Sequence, residues 1–204
     1  EACREASKQE IIRRYYKCLC EKRRNGTTKD DICKLELLMK QAEITVEDRK
    51  VTIVALEREK NENGNPAMAI ELRDGTIVSG GTSELLGAAS SALINALKVL
   101  AGIDKEVKLI DPKAIDPIQD LKINYLGSKN PRLHTDEVLT ALSATAANNE
   151  IAMKAMKKLP LLKGCDAHST VLLSSVDEQI FKKLGIQLTC EPKYEEDERM
   201  YHKN

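Results

Sequence analysis

The sequence predicts a mixed α/β fold, with a helical first third followed by a mixed sheet of about five strands packed by helices. Three observations lead there. Up to Asn65, apolar residues recur at the three- and four-residue steps of a helix face. From Ala67 the period shortens to that of strands around Arg73-Asp74-Gly75, the pattern of a β-hairpin with a glycine in its turn. Near the end, Ala167–Leu173, Val176–Leu184 and Ile186–Cys190 read as buried strand, amphipathic helix and strand, which is a parallel β-α-β unit. The length, 204 residues, is enough to bury roughly 70% of the surface the unfolded chain exposes.

Taken in order, Glu1–Arg24 carries Ile11, Ile12, Tyr15, Tyr16 and Leu19 on one helical face and ends before Asn25-Gly26. Thr28 with Asp31 caps a second helix running to about Ala42, and Thr45 with Asp48 repeats that arrangement for a third. Residues 1–65 thus form a helical segment and residues 66–204 an α/β domain. After the hairpin, Gly80-Gly81-Thr82-Ser83 leads into an Ala- and Leu-rich helix ending near Gly102. Val107–Ile110 reads as a short apolar strand stopped by Asp111-Pro112, and Ile115–Leu121 as a short helix. Thr135 is the expected N-cap of the helix Asp136–Ala147, a further helix follows to about Lys158, and Ser175 with Glu178 forms a capping box for the last one.

Composition excludes several classes of function. Thirty-two Lys and Arg balance 32 Asp and Glu, so no net field draws in nucleic acid or an anionic membrane. Aromatic residues make up 3% with no Trp, which argues against base-stacking surfaces. The longest nearly uncharged stretch, Leu85–Leu97, is too short to span a bilayer. Six cysteines without a CxxC pair or an apolar leader point to reduced thiols in a cytoplasm. The first residue is Glu1 and the chain opens directly on helical spacing, so the expectation is a piece of a longer protein. The run Glu195-Glu196-Asp197-Glu198-Arg199 reads as a solvated end or a docking strip.

Three constellations could carry chemistry. Asn130-Pro131-Arg132-Leu133-His134-Thr135-Asp136-Glu137 puts an Arg, a His and two carboxylates at a loop-to-helix junction, where free N–H groups and the helix dipole favour an anion. Arg132 could clamp phosphate or carboxylate and His134 could move a proton near neutral pH, with Asp136 and Glu137 orienting them or holding a metal. Ordinary capping explains the same carboxylates. The second is Gly164-Cys165-Asp166-Ala167-His168-Ser169-Thr170, in which Cys165 is a candidate nucleophile, His168 its base or a metal ligand, and Ser169 a candidate anion- or substrate-binding residue. A structural His at a strand start is the competing reading. The third is Gly80, Gly81, Thr82 and Ser83 as a phosphate cradle at a helix head, without the lysine of a P-loop. With only three histidines in the chain, the expectation is that His134 and His168 line one cleft.

From Arg13-Arg14-Tyr15-Tyr16, through Gly80–Ser83 and both histidine motifs to Leu188-Thr189-Cys190-Glu191-Pro192, the chain resembles the bacterial family called domain of unknown function eighteen forty-six. The resemblance covers essentially the whole chain and is to the C-terminal part of proteins more than twice as long. It implies a cytoplasmic protein whose N-terminal half, absent here, carries a nucleotide-binding-like glycine-rich segment in a Rossmann-like region. No reaction comes with it. The implied site lies at the boundary of the halves, with Arg132, His134 and His168 contributing, and a nucleotide or divalent metal as cofactor of the full-length protein. The expected partners are that N-terminal half and a second copy of the chain. The rival reading is a structural or oligomerisation domain with no catalytic site of its own.

Overall fold

In a computed structural model, residues 2–26 and 29–195 are described. The expected Thr28 cap and the run from Glu196 to Arg199 lie outside them. The helical first third is α1 (Ala2–Asn25), α2 (Lys29–Gln41) and α3 (Lys50–Asn61). Thr45 N donates to Asp48 Oδ2 at 2.8 Å, but this box opens a single 3₁₀ turn, Val46–Asp48, and α3 proper begins at Lys50. The hairpin is β1 (Ala67–Glu71) and β2 (Ile77–Gly81), and the helix after it, α4, spans Ala88–Ala101. Then come α5 (Pro112–Asp120), α6 (Thr135–Ala146), α7 (Glu150–Met156), β3 (Asp166–Ser169), α8 (Ser175–Lys183) and β4 (Gln187–Cys190).

The described sheet has four strands where about five were expected, in the order β2-β1-β3-β4. β1 is antiparallel to both β2 and β3, and β3 is parallel to β4, as the β-α-β reading requires. The missing strand is Val107–Ile110. Leu109 and Ile110 are buried in the core and Val107 is half-buried, but the segment is irregular and has no ladder partner among the described residues. A short apolar run does not distinguish a strand from a core-facing loop.

The sheet separates two layers. On β1, Met68 and Ile70 join the main core with Ala92, Leu93 and Leu97 of α4, whereas Ala69 packs against Val51 and Ala55 of α3. Successive side chains on a strand alternate faces, so one layer holds α3 with α1 and the other holds α4 with α6, α7 and α8. Central strands buried on both faces read as unbroken apolar runs, which is why Ala67–Ile70 shows no polar alternation. α4 lies very close to β2: a Cβ on Gly80 would come within 2.2 Å of Ala92 N. Gly80 is therefore glycine so that this helix can approach. Gly81 leaves room for the Glu62 carboxylate. Among the described residues no helix is long and apolar enough to cross a membrane.

Candidate functional site

Three helices start at one pocket beyond the C-terminal end of β3. Gly87, His134 and Ser174 are the N-cap residues of α4, α6 and α8, and all three line it. The loops are fastened to one another there. Leu133 N donates to Leu85 O at 2.9 Å, and Ser90 Oγ donates to Leu133 O at 2.9 Å. A π-helical turn at Leu121–Tyr125 buries Lys122, whose Nζ donates to Arg132 O and to Glu137 Oε2, both at 2.7 Å. The chain carrying Arg132 and His134 is thus held from two sides.

His134 Nδ1 lies 3.0 Å from Asp177 Oδ2. Asp177, the third residue of α8, also accepts from Ser174 Oγ at 2.8 Å and from Thr135 N and Oγ1 at 2.9 and 2.8 Å. Burial pushes the Asp177 pKa up, but the His134 imidazole and these hydrogen bonds outweigh it and bring the carboxyl down to about 2. The hydrogen bond to Asp177 in turn raises the His134 pKa above 6.5, against the opposing effect of burial. An ionised Asp177 favours the tautomer with the proton on Nδ1.

Arg132 lines the same pocket, and its Nη1 donates to Glu195 Oε1 at 2.6 Å. Glu195, the first residue of the run read as a solvated end or a docking strip, lies in this pocket, only 16% exposed and on the guanidinium. Gly87 has no side chain with which to cap the first amides of α4, Ala88, Ala89 and Ser90, which also line the pocket. The open space is about 50 Å³. That is room for a water or two, or for the head of one tetrahedral oxyanion.

The other expected residues lie elsewhere. His168 is fully buried on the opposite face of the sheet, paired in register with Ala69, its ring 4.9 Å from that of Tyr16 on α1. Its Nδ1 is 2.9 Å from Thr189 Oγ1, and its Nε2 is 3.2 Å from Glu191 Oε1, off the line of a good hydrogen bond. Burial lowers its pKa, so the ring is neutral. The one-cleft expectation for His134 and His168 is corrected: alternation along β3 sends His168 to the α1 and α3 layer. Cys165 precedes β3 and is 2% exposed, and burial raises its pKa, the opposite of an activated nucleophile. Ser169 Oγ donates to Val171 O at 2.8 Å and serves the turn that ends the strand.

Gly80 and Gly81 belong to β2, and Gly87 rather than Ser83 precedes α4, so the expected phosphate cradle is not at the helix head. Thr82 does line the pocket, with Oγ1 donating to Pro66 O, while Ser83 bonds back to Leu86. Glu137 accepts from His134 N and Lys122, and Asp136 accepts from Glu137 N. These are capping roles. The described residues contain no cluster of three or more His, Cys, Asp or Glu placed to hold a metal.

Asp177 was missed because Ser174-Ser175-Val176-Asp177-Glu178 contains two capping boxes one residue apart. Ser175 with Glu178 was the expected one. The helix uses Ser174, whose Oγ accepts from Asp177 N at 3.2 Å.

Residues 47–201 match the family described as "Domain of unknown function DUF1846, C-terminal". The chain belongs to the DUF1846 family. Residues 1–43 match the description "Domain of unknown function DUF1846, N-terminal", so the expectation of a purely C-terminal piece is corrected: α1 and α2 carry the N-terminal family's signature. A UPF0371 protein of Corynebacterium glutamicum is 53% identical over 194 residues, covering 95% of this chain and 39% of the relative. One from Streptococcus sanguinis is 52% identical over 204 residues, covering 100% of this chain and 41% of the relative. This DUF1846 chain thus spans about two fifths of the length of its bacterial relatives.

Proposed function

We propose that this DUF1846 chain supplies one wall of an enzyme active site for a phosphate- or carboxylate-bearing small molecule. Arg132 and the α4 amides bind the anionic group, and His134 Nε2 gives or takes a proton while Asp177 holds the ring. The observation that carries the reading is the His134–Asp177 pair at 3.0 Å in the same pocket as Arg132. A carboxylate of the chain itself already rests on that arginine, which marks the position as one that accepts an anion. The pocket is small, and the rest of a substrate would extend toward the part of the longer protein not spanned here. A nucleotide or metal cofactor, if the full-length enzyme uses one, would sit on that side. Buried thiols at Cys20, Cys165 and Cys190 support a reducing, cytoplasmic setting.

The test is the His134 imidazole resonance followed by NMR across a pH titration, with and without millimolar inorganic phosphate. Bound phosphate raises the His134 pKa further, and Arg132→Gln removes the effect. A His134 titration indifferent to phosphate overturns the reading for this group.

A structural or oligomerisation role has its own support in α2, where Leu37 is 61% and Leu38 42% exposed while Ile32 and Met39 are buried. A second copy of the chain would cover that face.

A further inference from the structure

A second pocket lies across the Gly81–Leu86 loop from the first, between α4, that loop and the irregular segment leading into α5. It encloses about 330 Å³, within the range of small-molecule sites. Its floor is aliphatic: Ile94 from α4, Leu109 and Ile110 from the segment that fails to form a strand, and Ile115 from α5. Among the described residues no aromatic ring and no carboxylate lines it. Its charged lining residues among those described are Arg58, Lys98 and Lys108, all cationic, in a chain whose charges balance overall.

The three cations are not equivalent. Arg58 is answered by Glu62, with Nη2 2.6 Å from Oε1. Lys98 Nζ donates one proton to Lys105 O at 2.7 Å, and an ammonium has two more to give. Burial lowers its pKa despite Asp104 and Glu106 nearby, so an anion beside it relieves a desolvated charge. Lys108 is exposed and makes no ion pair with a described residue. Asn95, the amide on the lining, has one of its two Nδ2 hydrogens committed to Ser79 O at 3.0 Å. A nucleobase would find no ring to stack on among the described lining residues.

We infer that this pocket binds a small aliphatic monoanion, its hydrocarbon body on Ile94, Leu109, Ile110 and Ile115 and its head group between Lys98 and Lys108. The inference is independent of the His134 pocket. Calorimetric titration with octanoate, 1-octanol and AMP tests it on the chain as it stands. Octanoate binds at least about tenfold more tightly than octanol. The double variant Lys98→Gln, Lys108→Gln brings octanoate down to the alcohol, and Ser91→Phe, which fills the pocket from α4, removes both. Circular dichroism melts of the variants show that each remains folded. Equal affinity for octanoate and octanol, no octanoate binding, octanoate binding that survives Ser91→Phe, or displacement of octanoate by AMP each overturns the inference.

Discussion

His134 and Asp177 share a proton economy whose sign is fixed by their opposed pKa shifts. The Asp177 carboxyl is lowered to about 2, so its contribution is present above the unfolded value near 3.8 and is lost as pH falls through about 2. His134 is raised above 6.5, so its contribution is whole below 6.5 and fades as pH rises through the folded value. The pair is therefore strongest between about pH 4 and 6.5. Asp177→Asn should remove the pair's stability slopes on either side of that window and lower the His134 pKa, which urea melts against pH and an NMR titration would show together. His168 behaves oppositely. Its lowered pKa means that protonation is easier in the unfolded chain, so its effect appears as lost stability on acidification, and its resonances should stay those of a neutral ring at pH 7.

Among the elements, α4 is the one whose position is set by a missing atom. Gly80→Ala must push the Ala92 backbone away from β2, and overpacking of this kind costs about 1–3 kcal/mol. Its melting temperature should fall accordingly, with the Asn95–Ser79 bond weakened alongside. Long periodic helices, the Asp-Gly hairpin and the parallel β3-α8-β4 unit were legible in the sequence because each rests on local pattern. What escaped was decided by register or by partners. Val107–Ile110 has a strand's composition but no strand among the described residues to pair with. Gly80-Gly81 looked like a ligand loop because close helix packing and phosphate approach demand the same residue. Asp177 hid behind a capping box displaced by one position, and so the residue that organises the candidate site went unread while Arg132 and His134 were found. The pairing of His168 with the α1 layer required the strand's facing, which a strand of four residues is too short to declare.

Across the whole molecule, the layer behind the sheet is joined to it by a buried polar system as well as by apolar packing. Arg49 is 1% exposed and donates to Asp166 Oδ1 at 2.6 Å, Gln187 O at 2.6 Å, Ala167 O at 3.1 Å and Thr189 Oγ1 at 3.1 Å. It thereby binds the start of α3 to both β3 and β4. Arg49→Met would leave a carboxylate and two carbonyls short of a donor, for a loss of about 3 kcal/mol read from the urea midpoint. From α1, Tyr16 Oη donates to Glu191 Oε1 at 3.0 Å and Cys20 Sγ donates to Cys190 O at 3.2 Å. The segment with the N-terminal family signature is thus tied to the sheet of the C-terminal one. Amides at the centre of α1 should exchange with deuterium about as slowly as those of β4, and Tyr16→Phe should loosen α1 first.

Glu195 on Arg132 has a consequence for any titration of the first pocket. A tethered carboxylate competes at a fixed effective concentration that no dilution reduces, so the affinity measured for a free anion is the intrinsic one multiplied by the fraction of molecules in which the chain's own group is off the arginine. Replacing Glu195 with Gln should make a weak ligand look stronger by the inverse of that fraction without altering a single contact the ligand makes. A modest apparent affinity would then measure how well the chain occupies its own receptor.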